Sequence, residues 1–209
     1  MKVLLLNGSP HEFGCTYTAL REAADALEHE GVETEIFHIG AGPVHGCTGC
    51  GACRKKGENR CVFNDDRVNE ALAKAEAADG YFLGAPVHYA SIAGAASAFY
   101  DRMFYAGGGA MAWKPAAVVV SARRAGTTAS YDQLIKYIGI NNMLAVPCHY
   151  WTMVHGSAPE DVRQDAEGMQ CMRALGRNMA WMLRMQGMSR ANGLEHPVPE
   201  PRVHTSFIR

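Results

Sequence analysis

The chain has 209 residues, 48% hydrophobic and 20% charged, with 20 Lys+Arg against 21 Asp+Glu and a formal net charge of −1. That balance suits one globular domain with a sizeable core and excludes a disordered or collagen-like chain. It also removes the basic excess that general nucleic-acid binding needs, and no apolar run reaches the roughly 18–20 residues of a membrane span.

The N-terminal run KVLLL (2–6) reads as a buried strand. It is too short for a signal peptide and meets Gly8-Ser9-Pro10 at once, so a cytoplasmic address is expected. Residues 16–30 put Leu20, Ala23, Ala24 and Leu27 on one face, an amphipathic helix stopping at Gly31. A second strand is predicted over 33–39. The segment 40–64 carries four cysteines and no period, and reads as a long loop. Asp65 or Asp66 can cap a helix over 67–78. Then come a strand over 80–84, a helix over 94–105, a strand over 116–121, a helix over 128–139 and a strand over 143–147. A long final helix is predicted over 160–186, its Met172, Leu175, Met179 and Met182 stripe read as core or subunit contact. The tail 187–209 has no period and is expected to wrap a surface or a partner subunit.

Strands alternating with helices predict a three-layer α/β fold, a doubly wound parallel sheet of five strands. Such sheets bind ligands beyond the carboxyl ends of their strands, at the topological switch point. Three loops lie there. Asn7 to Thr16 offers Gly8 and Gly14 for close backbone approach, hydroxyls on Ser9 and Thr16, and the start of a helix, a combination suited to phosphate or to plain helix capping. It is neither a Walker loop nor GxGxxG. Ala85 to Gly94 holds Pro86, Val87, His88, Tyr89 and Ser91, which suit a planar heterocycle or simple packing. Ser121 to Thr128 holds Arg123, Arg124, Gly126 and Thr127, a polar ligand edge or a solvated turn.

Seven cysteines cannot all pair internally. Cys15, Cys148 and Cys171 are scattered and read as small buried hydrophobes. Cys47, Cys50, Cys53 and Cys61 follow C-x2-C-x2-C-x7-C. Three close thiolates plus a more distant fourth fit four-thiolate ligation of [4Fe–4S]. Zinc, usually held by two separated CxxC pairs, and free redox-active thiols stay open. Arg54, Lys55, Lys56 and Arg60 would offset thiolate charge, or simply be solvated.

The motifs GSPHEFGCT (8–16), CTGCGAC…C (47–61), GAPVHYASIAG (84–94), AFYDR (98–102), SARRAGTT (121–128) and TSFIR (205–209) together resemble the NAD(P)H-dependent FMN reductases of the flavodoxin-like superfamily, in the branch of the iron–sulfur flavoproteins. The resemblance implies strand order 2-1-3-4-5 in one domain over 1–209, with 40–64 as a Cys-rich insertion. It implies FMN, with its phosphate on Ser9, His11, Gly14, Cys15 and Thr16. Its isoalloxazine would lie against Pro86, Val87, His88, Tyr89 and Ser91, lined from the other side by Ser121, Arg124, Gly126 and Thr127. The family often has Asn at the place of Cys15 and Tyr at that of His88. NAD(P)H would give a hydride at the flavin N5, so no catalytic side chain is assigned. The acceptor would be free flavin, a quinone, an aromatic compound or a cluster at Cys47, Cys50, Cys53 and Cys61. A homodimer or homotetramer is implied, with the final helix, a Gly107-Gly108-Gly109 loop and the tail as contact material. Trp151 and His155 would close over the ring, meet a partner subunit or merely pack. A flavodoxin-like electron carrier and a cysteine-based redox sensor remain the alternatives.

Overall fold

The computed structural model describes residues 1–205 and Phe207; Ser206, Ile208 and Arg209 of the TSFIR motif lie outside the described residues. Its strands are β1 (Lys2–Asn7), β2 (Glu33–His38), β3 (Gly80–His88), β4 (Ser91–Ile92), β5 (Pro115–Ala122), β6 (Leu144–Ala145) and β7 (Met153–His155). Its helices are α1 (Cys15–His29), α2 (Ala52–Lys56), α3 (Val68–Glu76), α4 (Gly94–Met111), α5 (Thr127–Ile140), α6 (Pro159–Gln164) and α7 (Ala166–Ala191).

The sheet runs β2-β1-β3-β5-β6, all parallel, while β7 takes up the same edge of β5 further along and β4 folds back antiparallel on β3. Counted by position, this is the expected five-stranded order 2-1-3-4-5. Side chains alternate through it. Leu4, Leu6, Tyr81, Leu83, Val118 and Val120 face the layer of α3, α4 and α5. Val3, Leu5, Phe82, Ala117 and Val119 face α1 and α7. The switch point falls between β1 and β3.

Several boundaries differ from the sequence expectation. The third strand does not stop at Gly84 but runs to His88 and turns into β4. Gly84 is an interior residue: a Cβ there would stand 2.8 Å from Leu20 and 2.9 Å from the Leu6 carbonyl. The fifth strand is broken in two. Val146 still donates to Ala116 O (2.9 Å), but Pro147 has no N–H to continue the ladder, and residues 147–151 leave the sheet before Thr152 O accepts from Val120 N (3.1 Å) and β7 resumes. The fourth helix passes through Gly107-Gly108-Gly109, so those glycines form no loop. Gly107 lets Leu72 of α3 press in, with 2.4 Å between its Cδ2 and a would-be Cβ. The expected final helix is split at Asp165, whose side chain caps Gly168 N (3.0 Å) and starts a new helix. It then runs to Ala191, which shortens the irregular tail. That tail crosses the protein's own surface: His196 stacks on Trp113 with centroids 5.3 Å apart. The Cys-rich loop contains the five-residue helix α2. No helix among the described residues is long and apolar enough to cross a membrane.

Candidate functional site

The loop after β1 sits at the switch point and is tied down from inside. Asn7 is fully buried. Its side chain accepts from Ser9 N (3.1 Å) and donates to Glu12 O (2.9 Å). Gly8 N donates to Gly84 O (2.8 Å), so the loop is pinned to β3, and a Cβ on Gly8 would lie 2.6 Å from that carbonyl. The Ser9 hydroxyl accepts from His11 N (3.1 Å), and the Ser9 carbonyl meets His38 Nε2 (2.8 Å). α1 then begins at Gly14 with no side-chain cap. Its first turn keeps N–H groups for an anion, with the helix dipole behind them.

The residues expected at the phosphate are not equivalent. Ser9 and Thr16 are buried beside the loop, and the Thr16 hydroxyl shares a 2.8 Å hydrogen bond with Ser121 of β5. That bond joins the first and third strand-end loops. His11 is exposed on the loop's outer edge. Cys15 turns its thiol toward Gly156 O (3.6 Å) and packs against the α1–α7 core, leaving its backbone as the part that faces the loop. Burial, with Asp161 and Glu160 behind it, raises that thiol's pKa.

The second and third loops face one another. Tyr89 sits at the tip of the β3–β4 hairpin with φ 57°, a left-handed conformation uncommon for a non-glycine residue, and its side chain is fully exposed. His88 is exposed beside it. Gly126 has φ 93°, and a Cβ there would strike Val87 Cγ1 at 2.6 Å. Only glycine lets the third loop close on the hairpin. Val87, Tyr89, Arg123, Arg124 and Ala125 line an opening of about 270 Å³ between them. Pro86 pairs in register with Ser121 beneath it. Ser91 donates to Gln133 of α5, and Thr127 is the first residue of that helix.

The cysteine loop lies over α4, on the opposite face of the sheet from α1 and α7. Cys47, Cys50, Cys53 and Cys61 all line one cavity of about 250 Å³, with Arg54, Phe63, Arg102 and Tyr105. Gly49 and Gly51 take left-handed φ of 66° and 69° around Cys50. The Ala52 backbone N–H lowers the pKa of the exposed Cys50 thiol, and Thr48 and Lys55 add to it. The Cys53 thiol reaches Tyr105 O (3.6 Å).

Sequence reasoning missed the residue that organises this cavity. Arg102 is 1% exposed. It donates to Cys61 Sγ (3.3 Å), His45 O (3.2 Å) and Phe63 O (3.0 Å), and pairs with the buried Asp66. Burial opposes its charge, while Cys61 and Asp66 hold it protonated. The signal was an arginine on the buried, otherwise apolar face of α4. Arg54 does line the cavity, but Lys55, Lys56 and Arg60 are exposed. Asn69, also missed, accepts from Cys61 N (2.8 Å) and donates to Cys61 O (2.9 Å) and Phe63 O (3.0 Å).

A sequence model of the NADPH-dependent FMN reductase family matches residues 1–158. The chain belongs to this family. An iron–sulfur flavoprotein of Methanocaldococcus jannaschii is 31% identical over 199 residues, spanning 88% of this chain and 98% of that one. An iron–sulfur flavoprotein of Archaeoglobus fulgidus is 38% identical over 103 residues, 49% of this chain and 46% of that one. Among solved structures, RosB with a bound riboflavin-phosphate intermediate superposes with TM-score 0.67 at 16% identity, covering 100% of this chain and 94% of the other. An NAD(P)H:quinone oxidoreductase of Methanothermobacter marburgensis superposes with TM-score 0.63 at 15% identity, over 86% and 96%. These likenesses establish the flavodoxin-like fold, and family membership makes this chain an FMN-linked, flavin-dependent oxidoreductase.

Proposed function

We propose that this chain oxidises NAD(P)H through FMN and delivers electrons one at a time by way of a [4Fe–4S] cluster on Cys47, Cys50, Cys53 and Cys61. The observation that carries this reading is the cavity all four thiols share beside Arg102. Three closely spaced thiolates with a more distant fourth fit four-thiolate ligation of [4Fe–4S], whereas zinc is usually held by two separated CxxC pairs.

FMN, when bound, supplies hydride acceptance and single-electron release, and the cluster supplies one-electron carriage. The protein's own part is positional. The α1 N-terminus with Ser9, His11, Gly14, Cys15 and Thr16 would hold the phosphate. Pro86, Val87, His88, Tyr89 and Ser91 would hold one side of the ring, and Ser121, Arg124, Gly126 and Thr127 the other. Arg102 keeps a permanent cation against Cys61, which offsets the charge of the thiolates. The acceptor in this reading is a flavin, a quinone, an aromatic compound or a protein. Exposed Trp181, Met185 and Met188, at helical spacing on α7, fit contact in a homodimer or homotetramer. Seven unpaired cysteines fit a reducing cytoplasm.

The test is a visible spectrum of protein purified without oxygen, with iron and sulfide assayed on the same sample and NAD(P)H then added. Flavin bands bleached by NAD(P)H, with about four irons per chain, are expected. Flavin without iron sinks the cluster; flavin that NAD(P)H leaves oxidised sinks the donor.

A further inference from the structure

The excursion 147–151 between β6 and β7 meets α7 on the face of the sheet away from the cysteine loop. Two of the cysteines the sequence presented as scattered come together there with a histidine. His149 Nε2 lies 3.6 Å from Cys171 Sγ, and His149 Nδ1 lies 3.7 Å from Cys148 Sγ. One ligand atom from each of the three residues falls within 4.8 Å of the others. Cys171 is buried, Cys148 half-buried and His149 exposed, so the group opens to solvent on one side.

We propose that Cys148, His149 and Cys171 form a binding site for one borderline-soft divalent cation of the zinc class, with a fourth position open to water or an added ligand. The donor set is two thiols and an imidazole, the combination such ions prefer. A tetrahedral ion with Zn–S about 2.3 Å and Zn–N about 2.0–2.1 Å places sulfur and nitrogen about 3.5 Å apart. The observed 3.6 Å between Cys171 and His149 is already that edge. The two sulfurs need to be about 3.8 Å apart, so at most about 1 Å of closure is required within the 4.8 Å group.

The scaffold is fixed before any ion arrives. Asn178 of α7 donates to Pro147 O (2.8 Å), and the Cys148 thiol donates to the Cys171 carbonyl (3.5 Å). Together they hold the excursion over the helix. Burial, the facing Cys148 thiol and the nearby Glu167 and Asp165 push the Cys171 thiol up to about 11. A cation reverses the electrostatic part of that shift, because the acidic neighbours that oppose a thiolate attract the ion. Binding releases the thiol protons, so affinity should rise with pH.

The test is Co(II) titration of FMN-loaded, full-length protein in which Cys47, Cys50, Cys53 and Cys61 are all Ser, followed by competition with Zn(II). One Co(II) per chain with thiolate charge-transfer absorption is expected, displaced by Zn(II). Adding C148S or C171S should abolish it, and H149Q should weaken it at least about hundredfold, more than the ~10–100-fold of an outer-shell change. Should the fourfold variant not fold, zinc content is compared between otherwise native protein and its C171S variant at equal iron content; zinc lost only from C171S supports the site. No Co(II) uptake, uptake that survives C171S, or a Cys148–Cys171 disulfide in protein that takes up no metal after reduction overturns it. Iron in the cysteine loop and flavin bleaching are read separately, so failure here and failure of the proposed function are distinguishable.

Discussion

The loop after β1 and the cysteine loop 40–64 are both glycine-rich and irregular, yet they are held in opposite ways. The first is short and fastened to the sheet: Asn7 from within, Gly84 through Gly8, Ser121 through Thr16. The second is long and mostly exposed. It is held at both ends by two side chains: Arg102 of α4 reaches His45 O and Phe63 O, and Asn69 of α3 reaches Cys61 O. The loop after β1 is therefore shaped by the fold itself. The thiol cavity depends on a few polar anchors. Substitutions in the two regions should separate flavin retention from iron retention.

The largest effect is expected at Arg102. R102M leaves Asp66 as an unpaired carboxylate, 4% exposed, and removes the donors to Cys61, His45 and Phe63. Breaking one partner of such a buried pair costs about 3–5 kcal/mol. Thermal unfolding should show that loss, and iron content should collapse while FMN remains in the surviving fold. Normal iron in R102M would refute its role at the cavity.

Next comes a pair of glycines. In G8A the new Cβ meets backbone at 2.6 Å, which cannot yield as a flexible side chain does. A cost of about 1–3 kcal/mol is expected from overpacking, together with weaker FMN binding in a fluorescence titration. G46A, where nothing lies within 4 Å, should be close to neutral on both measures. Equal effects of the two would erase the contrast between a loop built into the sheet and one laid over it.

Asn69 supplies a milder test of the second region. N69A unpairs the Cys61 and Phe63 backbone groups, a loss of about 1–3 kcal/mol. Iron should dissociate faster during chelation, with FMN affinity unchanged. A fall in FMN affinity would mean that the two regions are coupled through α3 and β3.

The fold was legible because alternating apolar strands and amphipathic helices state their periods locally. The loop after β1 was legible as a candidate for a similar reason: its glycines and hydroxyls are adjacent in sequence. The extension of β3 was hidden because Gly84 reads as a terminator, and only packing against Leu20 shows that it is interior. Arg102, Asn69 and the trio Cys148, His149 and Cys171 were hidden because each acts across a sequence gap. Arg102 meets Asp66 from 36 residues away, and Cys171 meets His149 from 22. No local pattern carries such pairings. The motif AFYDR pointed to the family without disclosing that its last residue anchors the thiol cavity.

The smallest expected effect uses the thiols as reporters of the same contrast. Cys50 stands in the open loop with its pKa lowered by the Ala52 N–H, so its thiolate forms at lower pH. Cys15 opens α1 at the end of the pinned loop with its pKa raised by burial and by Asp161, so it stays protonated to higher pH. In metal-free protein, iodoacetamide at neutral pH should label Cys50 roughly tenfold faster than Cys15, since the thiolate is the nucleophile. Raising the pH should narrow that ratio, as Cys15 begins to ionise where Cys50 is already charged. The linkage to stability follows the same signs. The unfolded chain releases the Cys15 proton before the folded one does, so above the ordinary thiol range Cys15 lowers stability as pH rises. Mass-spectrometric mapping of labelled cysteines across pH reads the order directly. Cys15 reacting first would mean that the loop after β1 opens more readily than its hydrogen bonds imply, and that the thiol facing Gly156 is not confined by the fold.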